Sequence, residues 1–372
     1  MTKNILVTGG AGFIGSHVAR ELVEAGYRVR AFDNLDPQVH GELASRPQYL
    51  PKEVELIRGD VRDPVAVRQA LEDIDAVFHF AASVGVGQSM YRIHDYTAVN
   101  DLGTACLLEA IVENPIEKLV VASGMSIYGE GLYVDAEGRS HENTRRTPDA
   151  LALGDWEPRD PKGRPLQPRP TPESKPAALE SIYALGTHAR EQAALIVGRA
   201  YDIPIVALRF FSVYGPHQAL SNPYTGVMAI FASRLMNNRP PVVFEDGEQR
   251  RDFVHVHDAA RACRLALESD RANGMTLNIG SGQSYTVREV AQGISRVLGR
   301  SQLQPEITGE YRMGDVRHCY ADISRAKAVL GFTPEVTLDE GLLELTRWLA
   351  TQVAVDHVAR ARSELQERGL TL

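Results

Sequence analysis

Basic surplus, cysteine and long apolar runs are all scarce in this sequence. Its 40 lysines and arginines face 48 aspartates and glutamates over 372 residues, a net charge of −8. A nucleic-acid binder usually shows a basic face, so no nucleic-acid partner is expected, although single basic pockets for phosphate stay open. Cys106, Cys263 and Cys319 lie far apart and form no CxxC pair. That excludes a disulfide framework and a thiolate zinc site. No apolar run approaches the ~20 residues that span a bilayer, so no membrane partner is expected. The first residues already belong to a glycine motif that has to stay attached. No signal peptide is therefore expected, and the cytoplasm is the expected location.

What remains is the balance of an ordinary globular protein, 44% hydrophobic and 24% charged. Asn4-Ile5-Leu6-Val7 is an apolar run ending in glycines and reads as a buried strand. Phe13–Ala25 has helical spacing, and Val29–Phe32 is a second strand that stops at Asp33. Further strands are predicted at Val54–Ile57, Ala76–Phe80, Leu119–Ala122 and Ile205–Phe210. Helices are predicted at Val65–Leu71, Thr97–Val112 and Ile182–Arg199. This alternation predicts an α/β fold, a Rossmann-type doubly wound parallel sheet with helices on both faces.

Two regions break the rhythm. Residues 131–176 are polar and crowd Pro158, Pro161, Pro165, Pro168, Pro170 and Pro172 together, so a loop insertion is expected there, either functional or partly mobile. With no cysteine and one histidine, His141, it offers no metal site. From Pro216 the elements shorten. The expected organisation is a Rossmann domain over 1–215 holding that insertion, then a smaller mixed α/β C-terminal domain over 216–345. Within the latter, 252–275 is expected to return to the first domain, and 346–372 to form a helical tail.

Gly9, Gly12 and Gly15 fall between the first strand and the first helix. Gly9 permits the tight turn, Gly12 lets backbone approach a pyrophosphate, and Gly15 lets the helix pack on the strand, while the helix N-terminus offers free N–H groups to phosphates. Asp33 ends the second strand, where a carboxylate binds both ribose hydroxyls and repels the extra phosphate of NADP. Asn34, Leu35 and Asp36 follow, with no arginine among them. NAD is the expected cofactor. Asp60-Val61 sits where the sheet edge meets an adenine, or else caps the next helix. Phe80-Ala81-Ala82 ends the fourth strand with small residues, and His79 before it reads as a packed, hydrogen-bonded residue.

Together with Asn100, Gly103-Thr104, Ser123 through Tyr128-Gly129, Tyr183, Arg209–Gly215, Arg251–Val256, Asn278–Gly282, Arg312 and Asp315, these anchors cover nearly the whole chain. The sequence resembles the extended short-chain dehydrogenase/reductases that modify nucleotide sugars, the NAD-dependent nucleotide-sugar epimerases and dehydratases. Within them it is most similar to bacterial 4-epimerases of the dTDP-L-rhamnose kind, on the run Ser221-Asn222-Pro223-Tyr224-Thr225-Gly226 and the insertion before Tyr183. The resemblance implies cofactor contacts at Gly9, Gly12, Phe13, Ile14, Gly15, Asp33, Asn34, Asp60, Val61, Phe80, Ala81, Ala82, Asn100, Tyr183, Phe210 and Val213. It implies a nucleoside-diphosphate sugar (dTDP, UDP or GDP) as substrate. It also implies a homodimer, through helices near 97–112 and 182–199.

In the resembled family a tyrosine takes the proton of a sugar hydroxyl while hydride passes to NAD. A lysine four residues on holds the nicotinamide ribose and lowers the tyrosine pKa, and a Ser or Thr in the preceding loop shares the hydroxyl. A phenol titrating near ~10 needs such help. Tyr183 matches the tyrosine, but Thr187 stands at the lysine position and Gly124 at the Ser/Thr position, with Ser123 and Ser126 beside it. Thr187 can hydrogen-bond a ribose but carries no charge. Arg190, two turns from Tyr183 on roughly the same face, is a compensating cation or else a solvated surface arginine. His188 is its neighbour. Met125 and Ser126 stand where 4,6-dehydratases carry Asp-Glu, which argues against dehydration.

Arg251 resembles the family's diphosphate clamp, and Arg312 and Asp315 its phosphate and ribose partners. Gly124, Ser212, Asn222 and Gln88 complete the expected substrate contacts, with Tyr91 a sugar-pocket or core residue. The insertion is expected at the rim of the site, as a lid or as a surface excursion. The resulting expectation is an NAD-dependent isomerase, an epimerase acting at C4 through a transient keto-sugar. The departures at Gly124 and Thr187 leave two alternatives: a catalytically impaired NAD- and nucleotide-sugar-binding protein, or an atypical nucleotide-sugar oxidoreductase.

Overall fold

Each apolar run becomes a strand because both of its faces are covered. Ile5, Leu6 and Val7 of Asn4–Thr8 (β1) are sealed from solvent. The computed structural model describes residues 2–41, 45–220, 222, 226–352, 356 and 358–371. Within them β1 is joined by Arg28–Asp33 (β2), Glu55–Arg58 (β3), Ala76–His79 (β4), Lys118–Gly124 (β5), Ile205–Phe210 (β6) and Thr276–Ile279 (β7). All pair in parallel, in the order β7-β6-β5-β4-β1-β2-β3. This is the Rossmann-type doubly wound sheet. The order reverses between β1 and β4, which opens a crevice above their carboxyl ends. Register places Thr8 beside both Phe32 and His79, so three strands finish level at that crevice.

Helices cover both faces. Phe13–Glu24 (α1) and Val256–Glu268 (α4) pack one face through Val18, Leu22, Ala259 and Cys263. Gly103–Glu113 (α2) and Ile182–Tyr201 (α3) pack the other through Leu107, Ile111, Ala194 and Leu195. Ser181 caps α3 by accepting from Ala184 N at 3.1 Å, worth about 1 kcal/mol. Asp202 ends the helix in the left-handed region. The predicted helix over Thr97–Val112 is not one regular helix. Ile93–Thr97 passes into a π-helical turn, Ala98–Leu102, before α2 begins. There Thr104 Oγ1 donates to Asn100 O at 2.5 Å, and the Asn100 side chain leaves the helix to bond both backbone groups of Ser83. Such turns recur at functional sites.

The stretch expected as a loop has structure of its own. Leu132–Val134 pairs antiparallel with Ser140–His141 and Gln167–Arg169, and Pro148–Ala152 is a short helix. No apolar period announces it because polar contacts hold it together. Asp135 accepts from Arg139, Arg164 reaches Asp160 and Glu137, and the fully buried Tyr133 donates to Glu130. C-terminal to residue 216, Val227–Met236, Val287–Val297 and Leu338–Leu349 (α5) share an apolar cluster of their own. Meanwhile α4 and β7 return to the main sheet. Val358–Glu367 (α6) is the last helix of the described residues.

Candidate active site

A cavity of about 850 Å³ occupies the crevice. Its floor is the glycine turn. Gly9 has φ +68°, and a Cβ there would stand 2.8 Å from Ala81 N. A Cβ on Gly15 would come within 2.2 Å of Gly9 O, so the helix can approach the strand this closely only without a side chain. Gly12 would meet only Gly9 O at 3.2 Å, because its other side faces the cavity. Asp33 closes this end. Its Oδ2 accepts from Ala11 N at 3.0 Å and its Oδ1 from Leu35 N at 2.9 Å, which fixes the carboxylate at the cavity wall. Phe13, Ile14, Asn34, Val61, Phe80, Ala81, Ala82, Phe210 and Val213 line the same space.

Asp60 and Asn100 stand one step back from it. Asp60 is held by Arg62 and Asn34, and the Arg62 guanidinium keeps its carboxyl down at about 2. Asn100 positions the Ser83 backbone as described. His79 is packed as expected: it bridges Thr8 Oγ1 at 2.8 Å and Thr104 Oγ1 at 3.0 Å, and burial lowers its pKa to about 3.

Tyr183 lines the cavity from the first turn of α3, with Ser89 Oγ accepting from its backbone N–H. Burial raises its pKa, while the Arg190 guanidinium and the Thr187 hydroxyl pull it the other way. Thr187 does not line the cavity. It is 1% exposed, and its hydroxyl donates to Tyr183 O at 2.8 Å along the helix. Ser126 also lies outside the lining, its hydroxyl buried without a partner in the turn Met125–Tyr128. Ser123 reaches the wall, but its hydroxyl donates to Glu191 Oε2 at 2.6 Å. Gly124 lines the cavity and leaves room: a Cβ there would meet nothing nearer than Phe210 O at 3.6 Å. Arg190 is not a surface arginine. It is 4% exposed, lines the cavity, and donates through Nη1 to Ala81 O at 3.4 Å.

The far end is cationic. Arg251 faces the cavity while its guanidinium donates to the carbonyls of Arg250, Arg317 and Val316. Arg312 pairs with Asp315 at 2.8 Å and lies 4.4 Å over the Phe244 ring. Ser212 and Asn222 line the wall. Ser221 and residues 223–225 of the run read from sequence lie outside the described residues. Gln88 accepts from Tyr96 Oη and exchanges side-chain hydrogen bonds with Gln38, which also reaches Asn222. Sequence reading missed Gln38 because nothing local tells that the loop after Asp33 crosses the cavity. Tyr91 is not a pocket residue; it donates to Glu364 and lies under Arg368 of the C-terminal segment.

None of residues 131–176 lines the cavity. The insertion instead braces the cationic end from behind. Arg146, 3% exposed at its side chain, bonds Glu130 at 2.8 Å, Glu245 at 2.7 Å and the Asp315 carbonyl at 2.9 Å. The lid expectation gives way to a buttress.

Comparison with known proteins agrees with this geometry. A model of the NAD dependent epimerase/dehydratase family matches residues 5–152 and 158–280. The dTDP-L-rhamnose 4-epimerase of Burkholderia thailandensis is 34% identical over 355 residues, 94% of this chain and 96% of that protein. The solved UDP-N-acetylglucosamine 4-epimerase of Methanobrevibacter ruminantium M1, in complex with UDP-N-acetylmuramic acid, superposes with a TM-score of 0.77 at 30% identity, over 94% of this chain and 99% of that one. The UDP-glucuronic acid 4-epimerase of Bacillus cereus, in complex with UDP-glucuronic acid and NAD, gives 0.77 at 26% identity, over 93% and 99%.

Proposed function

Because the chain belongs to the NAD dependent epimerase/dehydratase family, we propose that it is an NAD-dependent epimerase of a nucleoside-diphosphate sugar, acting at C4. The observation that carries this reading is a single cavity lined by the glycine turn, Asp33, Tyr183, Arg251 and Arg312. The residues present fit NAD. The Gly12 backbone is open to the cavity beside the N-terminus of α1, and the Asp33 carboxylate is fixed where a ribose diol needs acceptors. When bound, NAD supplies a reversible hydride acceptor. Tyr183, a residue lining the same space, holds the proton of the sugar hydroxyl at its Oη and returns it after the keto-sugar has turned over in the pocket. Arg251 and Arg312 supply planar cationic donors for the diphosphate, and the Phe244–Arg312 stack gives the nucleoside end an apolar wall. Met125 and Ser126, neither of them an acid or base, leave no dehydration pair.

The finer features follow the same reading. The nucleoside is uridine, thymidine or guanosine, and the protein works in the cytoplasm as a homodimer. Among the described residues no helix is long and apolar enough to cross a membrane. Leu102 (53% exposed), Leu185 (49%) and Ile196 (54%) stand out on the helical faces assigned to the dimer contact. Incubation with a panel of UDP-, dTDP- and GDP-sugars, followed by product NMR, tests the activity. A C4 epimer formed without net NADH supports it; a stable keto-sugar with stoichiometric NADH, or no turnover, overturns it.

A further inference from the structure

A phenol buried at a cavity wall is a poor base unless a cation stands beside it. Thr187 cannot be that cation, and its hydroxyl is turned along the helix to the Tyr183 carbonyl. Seven residues after Tyr183, Arg190 comes within about 20° of the same helix face and about 10 Å further along the axis. Helical side chains lean toward the N-terminus, so a long one at 190 reaches back toward 183. Both residues line one cavity.

Arg190 does not look like a structural arginine. Arg209 on β6 shows what one looks like: it bonds Glu191 through Nε and Nη2 at 2.9 and 2.7 Å, and Tyr128 Oη at 2.8 Å. Arg190 is as deeply buried, yet its bond to Ala81 O is long and its Nε has no partner. Asp101, in the π-helical turn Ala98–Leu102, faces it electrostatically with Oδ1 buried and likewise unpartnered. A buried guanidinium with unused donors is costly, and packing alone would be better served by an apolar residue.

We propose that Arg190 is a positioning residue that supplies the positive charge beside Tyr183 Oη, from a turn further along α3 than the vacant position 187. This rests on the reading of Tyr183 as the acid/base group. The charged and titratable groups facing the pair are Tyr96 from Ile93–Thr97, Asp101 from the π turn, His79 from β4 and Glu191 on α3 itself. Glu191 is paired with Arg209 and accepts from Ser123, burial raises the Asp101 pKa and holds His79 neutral, and Arg190 is the charge that acts on the phenol.

The test titrates Tyr183 directly, by NMR of Cζ-labelled tyrosine in the protein as purified, with Tyr183→Phe identifying the resonance. Arg190→Met is expected to raise the Tyr183 midpoint by about one pH unit or more. Arg190→Lys should keep it close to that of the unmodified protein. In Arg190→Met/Thr187→Lys, a charge at the neighbouring turn should bring it back. An unmoved midpoint in Arg190→Met overturns the inference, whatever the fate of the fold's stability. If that variant does not fold, the double variant decides: a midpoint within about half a unit of the unmodified protein supports the inference, and a displaced one overturns it. Because this readout needs no turnover, a midpoint that moves in a protein inert toward nucleotide sugars would refute the proposed function and leave Arg190's role standing.

Discussion

The hydroxyl of Thr187 donates to the carbonyl of Tyr183 one helical turn earlier, at 2.8 Å, and so is engaged within the helix, while Tyr183 and not Thr187 lines the cavity. One consequence concerns the cofactor. Thr187→Val removes that bond, keeps the shape, and leaves a carbonyl still bonded within the helix. NAD retention after purification is expected to match that of the unmodified protein, with stability lower by about 1 kcal/mol. Release of NAD from the variant would show that the hydroxyl reaches the ribose after all.

Gly124 invites the opposite experiment. With Phe210 O at 3.6 Å the nearest atom to a built Cβ, Gly124→Ser should fold with little change in melting temperature. A hydroxyl there would share the sugar hydroxyl with Tyr183, and kcat is expected to rise several-fold, less than the ~10²–10⁴ that a well-placed proton-transfer group contributes, because Tyr183 already fills that role. A fall in kcat with unchanged KM would mean that the space is needed by the rotating keto-sugar.

Arg146 links the insertion to the cationic end. Arg146→Met takes a buried cation from Glu130 and Glu245, which keep Tyr133 and Arg317 as partners, so the loss is expected at the low end of the ~3–5 kcal/mol that breaking a buried pair costs. It also takes one of two donors from the Asp315 carbonyl, leaving Tyr311, so KM for the nucleotide sugar should rise more than kcat falls. Denaturant unfolding and steady-state kinetics check the two halves separately.

Stability should fall in mild acid. Burial lowers both His17 and His79 to about 3, from an ordinary value of 6.5. Below 6.5 the unfolded chain takes up protons that the folded one refuses, so stability is fully present above that pH. It is lost as pH falls toward about 3, at about 1.4 kcal/mol per pH unit for each imidazole. Thermal unfolding between neutral and acid pH, with His79→Gln removing one share of the slope, measures this.

The sheet and the cofactor end were legible because their signals are local: apolar runs, glycines at 9, 12 and 15, and a carboxylate at a strand end. Even there the third strand is Glu55–Arg58 rather than Val54–Ile57, since a four-residue apolar run does not mark its own edge. The insertion was misread because a buried tyrosine and ion pairs, not periodicity, fold it. Arg190 was legible as to helix face but not as to depth: an arginine in sequence looks the same whether solvated or sealed. Gln38, Asn222 and Gln88 meet through contacts across 50 and 184 positions, which no local pattern encodes.

The central claim is that a dinucleotide held on the glycine turn faces the phenol of Tyr183 across a nucleotide sugar. Its most direct test is paired: cofactor content and product analysis for the purified protein and for Tyr183→Phe. The account predicts bound NAD in both, C4 epimer from the unmodified protein, and a rate at least ~100-fold lower in the variant. Epimerisation undiminished in Tyr183→Phe, or a protein that neither carries nor takes up NAD, would contradict it.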